Sequence, residues 1–206
     1  AHTKQEKETL AAATDIAAKI SAARKSQAAP LQKSVNTLLA QVGMPNASIQ
    51  VSITNTNLNA NGADQIEFLF DANKSGKYES IKKVASGGEL SRLMLCIKSL
   101  VATSVNLPTL IFDEIDTGIS GEAAKQVGII MQGLAANRQI ICITHQPQIA
   151  GKADAHFFVY KAMKGEAIQT NIKQLTQEER ITTIAKMLSG EQPSAAAIES
   201  AKEMMN

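Results

Sequence analysis

The chain has 206 residues, 44% of them hydrophobic, with 21 basic against 19 acidic residues and a formal net charge of +2. That length suffices for one good core, and so even a charge balance lacks the basic excess of a nucleic-acid footprint, leaving DNA binding neither required nor excluded by composition. No apolar run approaches the roughly 20 residues of a membrane span, the polar stretch from Ala1 to Thr9 has no signal-peptide core, and Cys96 and Cys142 sit singly in apolar runs, so a cytoplasmic protein with buried free thiols is expected.

Residues 3 to 29 are rich in Ala, Lys, Gln and Glu and predict a helix. Leu10, Ala13, Ala17 and Ile20 recur at spacings of three and four, a narrow seam that suits either a coiled coil or a solvated amphipathic helix. Pro30 is expected to interrupt it, and Leu31, Val35, Leu38 and Val42 predict a second helix that Gly43 and Pro45 stop. A chain that opens in such a pattern without Met is expected to be a piece of a longer protein. Ile49, Val51 and Ile53 alternate with polar residues, as do Ile66, Phe68 and Phe70, which predicts two strands of a hairpin joined by a polar loop from Asn55 to Asp64. Tyr78 to Val84 reads as weakly extended.

Ser86-Gly87-Gly88-Glu89 then opens a predicted helix that carries Leu90, Leu93, Met94, Ile97 and Val101 to about Thr103. Two glycines at a helix start leave backbone N–H groups unpaired and unobstructed, an anion cradle. Leu110-Ile111-Phe112 predicts a short buried parallel strand ending in Asp113-Glu114. Adjacent carboxylates at the end of an apolar strand suggest a cationic partner, because ionised groups are rarely set against a core alone. Ser120 is placed to cap a helix with Ala123, Val127, Ile130 and Leu134 on one face, and Gln139 to Thr144 predicts a second buried strand delivering His145. Strand, helix, strand makes a βαβ unit, at whose strand ends ligands gather. Pro147 to Lys152 is a short helix or turn, Phe157 to Tyr160 with Ala167 to Ile172 a hairpin turning near Gly165, Thr176 and Glu179 a capping box, and Ser194 to Met205 a last helix. Singly, each motif has an ordinary explanation as a glycine turn, a capped strand end or a core histidine.

In this order, however, the three motifs resemble those of the ATP-binding-cassette (ABC) superfamily. Ser86-Gly87-Gly88-Glu89 is similar to the signature motif, Leu110 to Glu114 to Walker B with its following glutamate, and His145 to the switch histidine. Val84 to Arg92, Phe112 to Gly121, Ile143 to Ala150 and Arg180 to Gly190 resemble the RecN family of bacterial SMC-like ATPases of DNA double-strand-break repair, with Gln146 where Leu would be expected. A head of an SMC condensin or cohesin is the alternative, made less apt by Asp116-Thr117-Gly118-Ile119-Ser120-Gly121. No G-x-x-x-x-G-K-[ST] loop occurs: Gly76-Lys77 is followed by Tyr and Gly151-Lys152 by Ala.

The resemblance therefore implies an α/β fold, the C-terminal lobe of an SMC-like head. It would have a mostly parallel sheet with flanking helices and antiparallel hairpins, entered by a coiled-coil helix at 1–29, with the half-head at 30–206. It implies ATP and Mg²⁺ as ligands, with the metal on Asp113 and catalysis by Glu114 and His145. Ser86, Gly87, Gly88 and Glu89 would contact the nucleotide of a second protomer, and Asp116 would couple the two sites. The implied partners are an N-terminal Walker A half, a second copy joined through ATP, and DNA, with no membrane, in a nucleoid-associated cytoplasmic protein. Alone, the chain would be inactive, or a non-catalytic dimerisation module. Lys82, Lys83, Arg92 and Lys98 lie loosely near the signature helix, where ordinary solvated surface is the plainer reading.

Overall fold

Residues His2–Gln41 form one 40-residue helix, α1, with Pro30 inside it. The expected break does not occur. A proline mid-helix removes one hydrogen bond and costs about 3 kcal/mol, but here the following turns are anchored. Val35, Leu39 and Val42 are fully buried, and two side chains of α1 reach across to the next strand. Asn36 Oδ1 accepts from the Ile49 N–H at 2.9 Å and Gln32 Oε1 from the Val51 N–H at 2.8 Å. Tertiary contacts thus override the local signal. The helix closes where Gly43, at φ +80°, lets the Met44 N–H turn back to Leu39 O at 2.9 Å, a left-handed C-terminal cap.

The computed structural model describes residues 2–83, 87–101, 107–164 and 167–205, and the chain divides into two compact units, one up to Leu100 and one from Val101 on. In the first, β1 (Ser48–Asn59) and β2 (Gly62–Asp71) pair antiparallel, and a short β3 (Glu79–Ser80) follows on β2. The register sets Ile49 opposite Phe70, Val51 opposite Phe68 and Ile53 opposite Ile66, so the apolar residues predicted to alternate do pair. Pairing runs further than expected: most of the stretch from Asn55 to Asp64, predicted to be loop, is strand, and the chain reverses at Ala60 and Asn61. Near this turn the hairpin is braced to α1. Asp64, nearly buried, accepts from Ser21 Oγ at 2.8 Å and from Arg24 Nη1 at 3.2 Å, while Arg24 Nη2 donates to Asn61 O at 2.9 Å. After a 3₁₀ turn at Ile81–Lys83, α2 runs from Gly87 to Val101. Its buried residues are Gly88, Arg92, Leu93, Leu95 and Cys96; Leu90, Met94, Ile97 and Val101, placed in the core by periodicity, are only partly covered.

In the second unit β4 (Thr109–Phe112) and β5 (Gln139–Cys142) are parallel, with α3 (Gly121–Ala135) between them in sequence and α4 (Pro147–Ala150) after β5. Gly128 of α3 admits α4 closely: a Cβ there would lie 3.1 Å from Gln148 O. Ser120 stands at the N-cap of α3 but its side chain makes no capping bond. β6 (Phe157–Lys164) and β7 (Ala167–Gln174) form the second antiparallel hairpin. The predicted capping box opens α5 (Gln177–Ser189), with Thr176 and Glu179 bonded reciprocally. Lys173 also pairs with Glu179. α5 packs on α6 (Ala195–Met205) through Ile184, Ala185, Ala197 and Ala201. The β4–β5 strands were expected to be buried on both faces. One face is open instead, with Ile111 63% and Ile143 59% exposed and Ile141 exposed beside them.

Candidate functional site

The parallel pairing sets Phe112 opposite Cys142, and the Ile143 N–H donates to Phe112 O at 3.0 Å. The chain segments leaving β4 and β5 therefore start side by side. Asp113 and Glu114 follow at once on one, Thr144 and His145 on the other. Both carboxylate residues are exposed, so burial does not by itself demand a cation at this strand end. Among the described residues no group of three or more His, Cys, Asp or Glu could hold a metal. A single exposed carboxylate such as Asp113 nevertheless suits Mg²⁺, which keeps most of its ligands as water and phosphate oxygens. Glu114 has φ +57°, a left-handed conformation costly for any residue with a Cβ. It turns the chain sharply: the Thr117 N–H donates back to Glu114 O at 3.3 Å, the Ile119 N–H to Asp116 O at 3.3 Å, and Ile115 is driven wholly inside. A strained backbone at a site of this kind is where function and folding compete.

Asp116 is turned inward and only 3% exposed. Its Oδ2 accepts from Thr144 Oγ1 at 2.6 Å and from the His145 N–H at 2.9 Å, and it lies 3.0 Å from His145 Nδ1. Burial pushes the Asp116 carboxyl up, but the Thr144 hydroxyl, the His145 N–H and the His145 side chain outweigh it and hold the group below the ordinary aspartate value. The His145 side chain is 74% exposed. Gln146 Nε2 donates to Ile119 O at 3.0 Å and lies 3.5 Å from His145 Nε2. The sequence marks Gln146 only as a departure from Leu and gives no role to Thr144; the structure puts both in the network that locks the turn after β4 to the end of β5. The one legible hint was the position of Asp116, polar between the apolar Ile115 and Ile119.

Gly87, Gly88 and Glu89 form the first turn of the 15-residue α2, where N–H groups lack intrahelical partners. Ser86 lies outside the described residues, as do Val84 and Ala85. Arg92 is 5% exposed, which removes it from the loose basic cluster and from any DNA-facing surface. Cys96 is buried and Cys142 partly so, and burial pushes both thiols up to about 12, away from reactive thiolate chemistry. No helix among the described residues is long and apolar enough to cross a membrane.

No protein-family model matches the chain. Curated relatives do: it is 41% identical over 192 residues to the DNA repair protein RecN of Rickettsia typhi, covering 93% of this chain and 35% of that protein. It is 36% identical over 200 residues to RecN of Vibrio cholerae, covering 96% and 36%, and 36% identical over 205 residues to RecN of Haemophilus influenzae, covering 98% and 37%. The chain thus spans about a third of the length of these relatives. Among solved structures, the Smc head domain with a coiled coil and joint from Pyrococcus yayanosii matches with a TM-score of 0.55 at 19% identity, over 81% of this chain and 30% of that one. A chain from work on ATP-driven dimerization and DNA stimulated activation of SMC ATPases matches with a TM-score of 0.50 at 17% identity, over 82% and 96%. At such identities these likenesses speak for the fold.

Proposed function

From the premise that this chain belongs to the RecN family, over the third of the relatives' length that it spans, we propose that it is the C-terminal segment of an SMC-like ATPase head acting in DNA double-strand-break repair. The observation that carries the reading is that the chain leaves the paired parallel strands β4 and β5 side by side, Asp113 and Glu114 directly after the one and His145 three residues after the other. Asp113 holds Mg²⁺, which when bound neutralises charge on the phosphates. Glu114 polarises the attacking water, and loss of such a base typically costs about 10²–10⁴-fold in rate. His145 stands at the γ-phosphate or at that water. Ser86, Gly87, Gly88 and Glu89 serve a nucleotide held by a second protomer, helped by the α2 dipole at about 0.3–1 kcal/mol. ATP so bound joins two heads, and hydrolysis parts them. DNA, and the cytoplasmic nucleoid as the place of action, belong to the whole protein.

Two features favour a head completed by another segment. The 206 residues contain no phosphate-binding lysine loop, and the open face of β4–β5 presents Ile111, Ile141 and Ile143 where a further layer would bury them. Residues 1–29 are proposed as the end of the coiled coil and residues 30–206 as half of the head. Phosphate release is expected to be negligible for this chain and to appear on mixing with an N-terminal Walker A segment. In that complete head Glu114→Gln should stop turnover and hold an ATP-bound dimer on size exclusion. No turnover from the mixture would favour a non-catalytic dimerisation module, and unchanged hydrolysis in the Gln variant would remove Glu114 from its role.

A further inference from the structure

We propose that the exposed turn from Asn73 to Lys83 is a contact surface for the phosphate backbone of duplex DNA, with Lys74, Lys77, Lys82 and Lys83 as its cations. Charge is the first observation. This stretch carries four lysines against the single acid Glu79, whereas the other 195 residues carry 17 basic against 18 acidic. The positive excess of an otherwise balanced chain is thus gathered here. All four lysines are exposed. Lys4, Lys19, Lys125, Lys173, Lys186 and Lys202 each pair with a carboxylate, but none of these four does among the described residues.

Fixed geometry is the second observation. β3 folds back on β2, with Ser80 opposite Leu69 and Glu79 opposite Phe70. The loop between them is held from inside by Asp71, only 4% exposed, whose carboxylate accepts from the Asn73 N–H at 3.1 Å, Ser75 Oγ at 3.1 Å and the Gly76 N–H at 2.7 Å. Its charge is taken up by those donors and not by a lysine. Lys74 and Lys77 stand on this loop, Lys82 and Lys83 on the 3₁₀ turn after β3. From Lys77 to Lys82 the chain spans at most about 17 Å, the axial length of about five base pairs. DNA enters from the reading of the chain as part of a DNA-repair ATPase, on which this inference rests; the form of the contact follows from the side chains. Lysine is a mobile point charge that meets phosphate without reading bases. The one aromatic side chain in the stretch, Tyr78, has its OH tied to Ser48 Oγ at 2.9 Å, so no series of rings offers itself to unpaired bases. The contact is therefore with duplex backbone and independent of sequence.

The test is fluorescence anisotropy of a short labelled duplex with the full chain, without nucleotide, over a salt series. Four phosphate contacts give a slope of log K against log salt of about −3.6, a loss of about 10²-fold between roughly 50 and 200 mM salt. Replacing any one of the four lysines by Gln should make the slope shallower by about one, equally on duplexes of different sequence. K74Q/K77Q/K82Q/K83Q together should weaken binding at the low salt by about tenfold or more and leave it nearly insensitive to salt. The same charge change at Lys4, Lys19, Lys125 and Lys202, exposed lysines that each pair with an acid, should leave binding within about twofold. No binding at low salt, equal losses in the two quadruple variants, or tighter binding of the single strand overturns the proposal. So does displacement of the duplex by polyglutamate at equal charge, which would make the turn a face for an acidic protein. The assay holds neither nucleotide nor a Walker A segment, so its failure is separate from failure of the complemented head to hydrolyse ATP.

Discussion

Glu114 holds a left-handed backbone at φ +57°, and so does exposed Lys74 at φ +55°. This conformation costs a residue with a Cβ about 1–2 kcal/mol, whereas glycine adopts it freely but gives up about 0.5–1 kcal/mol more entropy on folding. Glu114→Gly should therefore stabilise the second unit by about 0.5–1 kcal/mol, while removing the carboxylate that the proposed hydrolysis needs. With a urea slope of about 2 kcal/mol/M, the midpoint rises by about 0.25–0.5 M. The chain has two tyrosines and no tryptophan, so in a Tyr78→Phe background the fluorescence of Tyr160 follows the second unit. Glu114→Gln keeps the Cβ and should leave the midpoint in place. Lys74→Gly, followed through Tyr78 in a Tyr160→Phe background, should gain a similar amount in the first unit, at a turn to which no catalytic chemistry is assigned. A Glu114→Gly chain no more stable than the Gln variant, with the expected gain at Lys74, would refute the claim that the backbone of Glu114 is strained for function.

Two further outcomes follow from the packing. Pro30 is exposed inside α1, so Pro30→Ala removes a helix-interior proline cost of about 3 kcal/mol, lost hydrogen bond and ring clash together, and gives back about 1 kcal/mol of unfolded-state restriction; a net gain of about 2 kcal/mol should raise the first unit's urea midpoint, and a loss would mean that the proline is needed for docking. Four acids are held below their ordinary values. Asp64 is lowered by the Ser21 hydroxyl and Arg24 against burial, and Glu179 by Lys173 and the Thr176 N–H. In Asp71 and Asp116 burial pushes the other way but is outweighed, for Asp71 by the N–H groups of Asn73, Ser75 and Gly76, for Asp116 by Thr144 and His145. The folded state then binds fewer protons than the unfolded one just below the ordinary carboxylate pKa. Their stabilisation is present above about pH 4 and is lost as the pH falls through the folded values; a urea midpoint unchanged from about pH 5 to about pH 2 would contradict this.

Patterns that depend on near neighbours were legible in the sequence. The alternation of Ile49 to Ile53 and Ile66 to Phe70 foretold the β1–β2 pairing, and Thr176 with Glu179 foretold the start of α5, because strand faces and capping boxes are written within a few residues. Asp113-Glu114 and His145 could be placed at strand ends for the same reason. What distant residues supply could not be read that way. Pro30 broke the local pattern, yet α1 is continuous because Asn36 and Gln32 bond to β1. Of the periodic apolar set only Leu93 is buried in α2, beside Arg92, Leu95 and Cys96, because the covering surface chooses among nearly equivalent faces. Sequence by itself determined which residues stand at the candidate site: a strand followed at once by two carboxylates and another followed three residues on by histidine. Only the tertiary structure decided how they are held, turning Asp116 inward onto Thr144 and His145, since which acceptor a buried donor finds depends on residues about thirty positions away and not on spacing along the chain.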